Sequence, residues 1–370
     1  MFNALPPPFN FAVPFVIVLG VLVFVHELGH YVAARWRGVF VETFSIGFGR
    51  ALATWKDRQG TVWKLGWIPL GGYVKLHGQE RPEDVGADVR ALWQPGRTFH
   101  EKGVGSRAIV VAAGPIANFL LAAVLFAVLF ATAGQPVILP EVGQVLKDSP
   151  AAHAGLVTGD RILAIDGQPV SQFEDIQRIV AARPDEKLTL QVRHDGHDAT
   201  LALTTGVREA GGRRIGSLGI TARATEFHRL PVGQAIVGGI THTCALSAQT
   251  LVGLWHMISS GHGTEDLGGP LRIAQLSGEV AQLGFASLID FIAVLSINLG
   301  LINLFPIPIL DGGHLLFFLA EAVRGRPLPA RAVEYGFRAG FAVLVGLFVF
   351  ATWNDLSHMG LVRWMAHLIG

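Results

Sequence analysis

Long apolar stretches alternate with charged segments along the chain, and about four of the stretches are long enough to cross a membrane as helices. We place the predicted spans at residues 9–34, 108–133, 285–320 and 335–353. No lysine or arginine precedes the first span, so we interpret it as a retained helix rather than a cleaved secretory signal. The third span contains Pro306 and Pro308, which break a regular helix, so protein or a watery cavity must surround the backbone there.

The segments between the spans follow other patterns. Within residues 39–77, strand-like patches separated by glycines predict β-hairpins, and the tryptophan content is typical of a membrane interface. These patches cover residues 39–48, 61–68 and 71–76. Residues 136–224 are charged, alternating and rich in turns, which indicates a soluble α+β domain, whereas residues 225–284 favour amphipathic or interfacial helices.

The composition agrees with a membrane protein. The chain of 370 residues is 51% hydrophobic and 15% charged, whereas charged residues make up about a quarter of a soluble domain. We therefore predict an α-helical integral membrane protein with about four transmembrane helices, a β-hairpin segment and one soluble α+β domain. A net charge of +1 gives no reason to expect a nucleic-acid partner. Cys244 is the only cysteine, so an intrachain disulfide is excluded, and we interpret it as an apolar packing residue.

Basic residues predict the orientation of the spans, because short loops rich in lysine and arginine stay in the cytoplasm. They concentrate after the first span and before the fourth, at Arg35, Arg37, Arg50, Lys56, Arg58, Lys64, Arg324, Arg326 and Arg331. Both segments should be cytoplasmic, which places the two termini and residues 136–224 on the outer side of the membrane.

Residues 26–30 read His-Glu-Leu-Gly-His at the end of the first span. In a helix His26 and His30 share a face, so their imidazoles can bind one metal ion, and Glu27 can act as general base on a nearby water. Ionisable groups at membrane depth are costly and are usually functional. The alternative interpretation is an accidental helix face with two interfacial histidines.

A catalytic zinc usually takes three protein ligands, and Asp311 is the best candidate for the third. It is the only acidic residue between Asp290 and Glu321, and a carboxylate at this depth needs a partner. His314 is a competing ligand, and a turn in which Asp311 only caps the chain is the structural alternative. Asn303 can donate hydrogen bonds to a substrate carbonyl, although it can equally cap a helix end.

Together these residues resemble the site-2 protease family of intramembrane zinc metalloproteases, most closely its RseP-like (regulator of sigma-E protease) branch. The motifs that carry the resemblance are residues 26–30, the Gly-Pro-Ile-Ala-Asn of residues 114–118, and the Asn-x-x-Pro-x-Pro-x-Leu-Asp-Gly of residues 303–312. The resemblance implies that His26, His30 and Asp311 bind Zn²⁺, that Glu27 is the general base, and that Asn303 helps to hold the substrate.

The same resemblance implies that residues 39–77 form a membrane-reentrant β-hairpin. An exposed edge strand there would pair with the backbone of an unwound substrate helix. The predicted substrate-binding residues are Asn303, Gly47, Gly71, Gly72 and Asn118. An ordinary cytoplasmic hairpin is the alternative.

Residues 136–224 resemble a PDZ domain, chiefly at residues 149–156, 158–163 and 165–167. The chain has room for one such domain, whereas many RseP-like proteins carry two. The domain would either bind peptide ends by strand addition or act as a steric gate against large substrates.

The predicted function is that of a zinc-dependent intramembrane endopeptidase in the bacterial inner membrane. Its expected substrates are single-span membrane proteins, such as anti-sigma-factor-like regulators and remnant signal peptides. The alternative is a catalytically inactive, membrane-anchored PDZ protein that binds peptides. An ion transporter would leave the soluble insert unexplained, and the sequence shows no pair of matching broken helices.

Overall fold

The computed structural model describes residues 9–80, 85–210, 213–223, 225–260 and 268–358. The chain divides into two compact units. One combines Met1–Leu129 with Val232–Gly370 and is named here the helical unit. The other, Phe130–Pro231, is named the inserted unit.

Helices and strands follow one another in an order that separates the two units. The helices are α1 Phe9–Trp36, α2 Ala87–Ala91, α3 Val104–Thr132, α4 Pro150–His153, α5 Phe173–Ala181, α6 Val232–Ser260, α7 Pro270–Leu283, α8 Phe285–Leu304, α9 Asp311–Arg324 and α10 Ala330–His358. The strands are β1 Val41–Lys56, β2 Val62–Leu76, β3 Gln135–Ile138, β4 Val142–Val145, β5 Arg161–Ile165, β6 Gln168–Pro169, β7 Lys187–His194, β8 His197–Thr204, β9 Gly206–Ala210, β10 Arg213–Ser217, β11 Ile220–Ala222 and β12 Thr225–His228.

Five helices in the described part of the chain are long and apolar enough to cross a membrane, namely α1, α3, α6, α8 and α10. Four of them match the predicted spans. The fifth, α6, lies where the sequence analysis expected interfacial helices. Its mean hydropathy is 1.2, against 2.4 for α1, which explains why it did not stand out. Cys244 is exposed on α6, so its interpretation as a packing residue is wrong.

The third predicted span is divided in two. The first part, α8, ends at Leu304, and α9 begins at Asp311, with Pro306 and Pro308 in the connection. Since proline lacks an N–H and clashes with the preceding turn, the break occurs where the sequence predicted it. It leaves Asp311 in the first turn of a new helix.

Small residues bring α1 and α3 into close contact. A Cβ atom added at Gly29 would lie 2.3 Å from the carbonyl oxygen of Ala113, and one added at Gly114 would lie 2.3 Å from Nε2 of His30. Neither distance is sterically allowed, so glycine is required at both positions. This agrees with the predicted packing role of the small residues around Gly114.

The strands β1 and β2 form a single long hairpin rather than several short ones. Residues 43–46 have partners on both sides, in residues 72–75 and in residues 62–65. Residues 51–56 pair with residues 62–66, the beginning of β2. The predicted patches therefore belong to one continuous hairpin, whose glycines allow the strands to bend.

An acidic residue that the sequence analysis did not select holds α7 in place. Asp355, in α10, is buried and accepts hydrogen bonds from the backbone N–H groups of Gly269, Leu271 and Arg272 at distances of 2.8–3.1 Å. These N–H groups begin α7 and would otherwise lack partners. Farther along α7, Gly278 packs directly on Phe11 of α1.

The inserted unit is built of short strands around an apolar core. The order β6-β5-β7-β8 forms its four-stranded sheet, and β4 pairs with β11. Along β7 every second residue is buried, with Leu188, Leu190 and Val192 facing the core. The entering strand β3 pairs with the leaving strand β12, so the unit extends slightly beyond residues 136–224, and residues 225–228 form a strand rather than part of a helix.

Candidate metal centre

The histidines of α1 and the aspartate that begins α9 meet at one point. Nε2 of His26 and Nε2 of His30 are 3.2 Å apart, as expected for residues one helical turn apart. Oδ2 of Asp311 lies 3.2 Å from the first of these nitrogens and 3.4 Å from the second. Among the described residues, these three side chains form the one group of His, Cys, Asp or Glu whose ligand atoms lie close enough together to hold a metal ion.

The geometry of this group fits a zinc ion. Tetrahedral coordination with metal–ligand distances of about 2.0–2.1 Å separates two ligand atoms by about 3.3 Å. The separations in the structure are 3.2, 3.2 and 3.4 Å. Oδ2 of Asp311 is buried without a hydrogen-bond partner among the described residues, although it faces both imidazoles. A cation between the three atoms would satisfy it, and two imidazoles with a carboxylate form a known set for catalytic zinc.

A hydrogen bond from α3 fixes the orientation of the His30 ring. Nδ1 of His30 lies 2.9 Å from the carbonyl oxygen of Val110, which can only accept, so Nδ1 carries the proton. Nε2 therefore presents its lone pair toward Asp311. Such an outer partner is usual for a histidine that binds a metal.

Glu27 lies between the metal group and the hairpin. Its Cγ would be 3.2 Å from a Cβ added at Gly72, and the backbone N–H of Val74 interacts with its carboxylate. Any side chain at position 72 would push against Glu27. Gly72 therefore allows strand β2 to approach the catalytic candidate closely.

A cavity of about 590 Å³ connects these groups. It is lined by parts of α1, β2, α3, α8, α9 and α10. The predicted site residues on its wall are His26, Glu27, His30, Gly72, Asn303 and Asp311. At another part of the wall, Arg107 and Glu321 form an ion pair of 2.6 Å. The cavity thus joins the metal group, the candidate base and the edge of the hairpin.

Other predicted site residues lie away from this cavity. Gly47 and Gly71 have φ angles of +82° and +93°, and added side chains would strike the Ile68 carbonyl and the Phe48 ring, so both serve the bends of the hairpin. Asn118 is fully buried, and its side-chain Nδ2 lies 3.2 Å from Nδ1 of His26. Its predicted contact with substrate stays a prediction, and in the structure its side chain contacts His26.

The competing ligand His314 lines the cavity but does not belong to the converging group. Its ring packs on Phe337, with centroids 5.3 Å apart. The geometry therefore favours Asp311 over His314 as the third ligand.

Four residues that contribute to the site were missed by reasoning from the sequence. The carbonyl of Val110 is a backbone group and leaves no signal in the sequence. Gly114 was noted only for helix packing, whereas its missing side chain makes room for the His30 ring. A sequence signal did exist for Arg107 and Glu321, because each is a charge at the end of an apolar stretch.

The chain is similar to known metalloproteases and to solved PDZ structures. The PDZ domain of an SdrC-like protein from Listeria monocytogenes matches 22% of this chain and 84% of its own at 22% identity, with a TM-score of 0.20. The HtrA-type protease AlgW matches 19% of this chain and 22% of its own at 34% identity, with a TM-score of 0.18.

Other relatives match this chain over most of its length and over most of their own. The chain is 42% identical over 363 residues to "Putative zinc metalloprotease Atu1380" of Agrobacterium fabrum, which covers 95% of this chain and 96% of that one. It is 37% identical over 388 residues to Metalloprotease MmpA of Caulobacter vibrioides, with coverages of 96% and 98%. The sequence model of peptidase family M50 matches residues 14–347. The resemblance noted from the motifs is thereby confirmed, and the chain belongs to peptidase family M50, the site-2 protease family of zinc-dependent metalloproteases.

Proposed function

We propose that this zinc metalloprotease cuts the transmembrane segments of single-span membrane proteins, such as anti-sigma-factor-like regulators and remnant signal peptides. The observation that carries the proposal is the convergence of His26, His30 and Asp311 inside a unit of apolar helices. A site at this depth is suited to substrates that are themselves in the membrane.

The roles of the residues follow from their positions. His26, His30 and Asp311 would hold zinc, which when bound supplies Lewis acidity at the scissile carbonyl. Glu27 accepts a proton from the attacking water and returns it to the leaving amine. Asn303, on the wall of the same cavity, donates a hydrogen bond to the substrate carbonyl.

The hairpin supplies a place for the unwound substrate. Residues 72–75 pair with residues 43–46 along one edge, and no strand of the described chain pairs with their other edge. The same residues include Gly72 and Val74, which line the cavity beside Glu27. A substrate backbone that leaves its helix can add to this free edge and replace the hydrogen bonds it has lost.

Helix contacts support a membrane topology with four crossings. Val18 and Leu22 of α1 cluster with Leu288 near the beginning of α8. Farther along the chain, His26 of α1 meets Asp311, which follows α8. Since α8 therefore runs in the same direction as α1, and α3 runs back between them, the chain begins α8 on the side where α3 ended. A single crossing by α6 would place the start of α8 on the opposite side of the membrane. We therefore propose that α6 stays on the outer side of the bacterial inner membrane, as do the inserted unit and both termini.

The side of the membrane on which α6 ends can be tested directly. In a Cys244→Ala background, Ser259→Cys places the only thiol near the end of α6, at an exposed position. A membrane-impermeant maleimide should label it from the outer face of sealed vesicles. Labelling from the cytoplasmic face alone would show that α6 crosses the membrane and that the four-crossing topology is wrong.

The chemical mechanism is tested by Glu27→Gln. Loss of the general base should reduce cleavage of a single-span substrate by about 10²–10⁴-fold, while zinc measured by mass spectrometry stays at the wild-type level. Asp290→Asn is the matched control, because Asp290 is a carboxylate of α8 that does not line the cavity. It should cleave normally.

Two results would contradict the proposal. Full activity of Glu27→Gln would exclude Glu27 as the base. Wild-type protein that binds no stoichiometric zinc would instead favour the alternative, a membrane-anchored protein whose PDZ-like insert only binds peptides.

A further inference from the structure

The side chain of Asn118 contacts the imidazole ring of His26. Asn118 is fully buried in the middle of α3, and its backbone carbonyl accepts a hydrogen bond of 2.8 Å from the Ser296 hydroxyl of α8. Its amide Nδ2 lies 3.2 Å from Nδ1 of His26. The other end of the amide, Oδ1, is buried and has no donor among the described residues. One end of the Asn118 amide is therefore hydrogen-bonded to Nδ1 of His26, the ring nitrogen that points away from Asp311.

The identity of the amide atom at this place decides the tautomer of His26. If N–H were presented to Nδ1, the ring proton would have to sit on Nε2, and Nε2 could not bind a metal. If oxygen were presented, Nδ1 would carry the proton and Nε2 would offer its lone pair toward Asp311. A half-turn of the amide exchanges the two atoms.

The other histidine provides an internal comparison. Nδ1 of His30 faces the carbonyl of Val110, which can only accept. Val110, Gly114 and Asn118 follow one another at four-residue spacing on one face of α3. On this face the first residue contacts His30, the missing side chain of the second leaves room for the rings, and the third contacts His26.

We propose that Asn118 is a positioning residue, whose amide oxygen accepts a hydrogen bond from Nδ1–H of His26 and so holds Nε2 ready for zinc. One face of α3 then supplies an acceptor to each histidine, from the backbone for His30 and from a side chain for His26. This inference rests on the zinc ligands proposed above.

Two substitutions separate an accepting from a donating amide. Asn118→Asp keeps the shape and, as a carboxylate, can only accept, whereas Asn118→Leu keeps the approximate volume and can do neither. Zinc affinity is measured on the full-length purified protein by competition with a chelator. Asn118→Leu should weaken zinc binding by about 10–100-fold, the usual effect of losing such a partner, while Asn118→Asp stays within a few fold of wild type.

Each contrary result has a definite meaning. Wild-type affinity in Asn118→Leu would show that Asn118 does not position His26. Loss of zinc in Asn118→Asp as severe as in Asn118→Leu would show that the amide donates, which also overturns the proposal. Should Asn118→Leu fail to fold, Asn118→Asp alone still decides between acceptor and donor.

Two further variants serve as controls. Ser296→Ala removes the hydrogen bond to the Asn118 backbone without touching the amide, so zinc affinity should be unchanged. His26→Ala tests the ligand set itself. If His26→Ala keeps zinc, the proposed ligands are wrong; if it loses zinc while Asn118→Leu keeps it, only the role of Asn118 fails.

Discussion

The helical unit and the inserted unit distribute their polar residues in opposite ways. In the inserted unit, β7 buries Leu188 and Leu190 and exposes the residues between them. In the helical unit, Ile17 and Val21 of α1 are exposed, while His26 is buried. Apolar residues thus mark the interior of the inserted unit, whereas in the helical unit they occur both in the interior, as at Val18 and Leu22, and on the exposed surface. In the helical unit the buried polar residues are the informative ones, and three of them, His26, Asn118 and Ser296, lie at or behind the candidate metal centre.

The largest effect is expected when one methyl group is added beside the candidate metal centre, where the helical unit packs around buried polar side chains. In an exposed helix, Gly→Ala is usually stabilising by about 1 kcal/mol. Gly114→Ala should instead reduce zinc affinity at least about ten-fold and bring cleavage close to background, because its Cβ would overlap the His30 ring. Chelator competition and a cleavage assay measure both effects.

The matched control for this substitution lies on the same helix. A Cβ added at Gly105 has no neighbour within 4 Å, so Gly105→Ala should leave zinc binding and cleavage unchanged. Equal behaviour of the two variants would contradict the close packing of α1 and α3 at the metal centre.

A large-to-small substitution in the inserted unit should act on stability alone. Leu190 is fully buried, so Leu190→Ala should lower the free energy of unfolding of this unit by about 2–5 kcal/mol. Hydrogen exchange in the full-length protein would show faster exchange across Phe130–Pro231, with zinc affinity unchanged. Leu146→Ala, at a residue 55% exposed, is the control and should have little effect. Loss of zinc in Leu190→Ala would mean that the two units are energetically coupled.

A smaller effect is expected from two ion pairs of equal length. The Arg107–Glu321 and Arg193–Asp198 pairs both measure 2.6 Å, but the first is 14–16% exposed and the second 49–61% exposed. Glu321→Gln leaves a largely buried guanidinium with a weaker partner, which should cost about 1–3 kcal/mol. Asp198→Asn in the exposed pair should produce no measurable change.

Thermal unfolding of the purified variants checks this prediction. A double variant, Arg107→Met with Glu321→Gln, should recover part of the loss, because it leaves no unpaired charge. If Glu321→Gln and Asp198→Asn melt alike, burial of the pair at the cavity wall has no energetic consequence.

Local patterns allowed much of the helical unit to be predicted. Apolar runs marked α1, α3, α8 and α10, and the four-residue spacing placed His26 and His30 on one face. Asp311 was found by a different argument, the need of an isolated carboxylate for a partner. The structure brings it within 3.4 Å of both histidines.

Features that depend on distant contacts were not available from the sequence. Asn118 meets His26 across 92 positions of chain, and Asp355 meets Gly269 across 86. Their partners follow from how the helices pack, which no local pattern encodes. The helix α6 was not predicted as a span for another reason, since its mean hydropathy of 1.2 is the lowest of the five candidate spans in the described part of the chain.

The pairing of β3 with β12 has a consequence for how such proteins evolve. Gln135 and His228 are partners, so the chain leaves for the inserted unit and returns from it at nearly the same point. Everything between these residues can be lengthened, shortened or duplicated while its two ends stay together. An ancestral protein could therefore have exchanged this domain for another while the two ends of the insertion stayed paired.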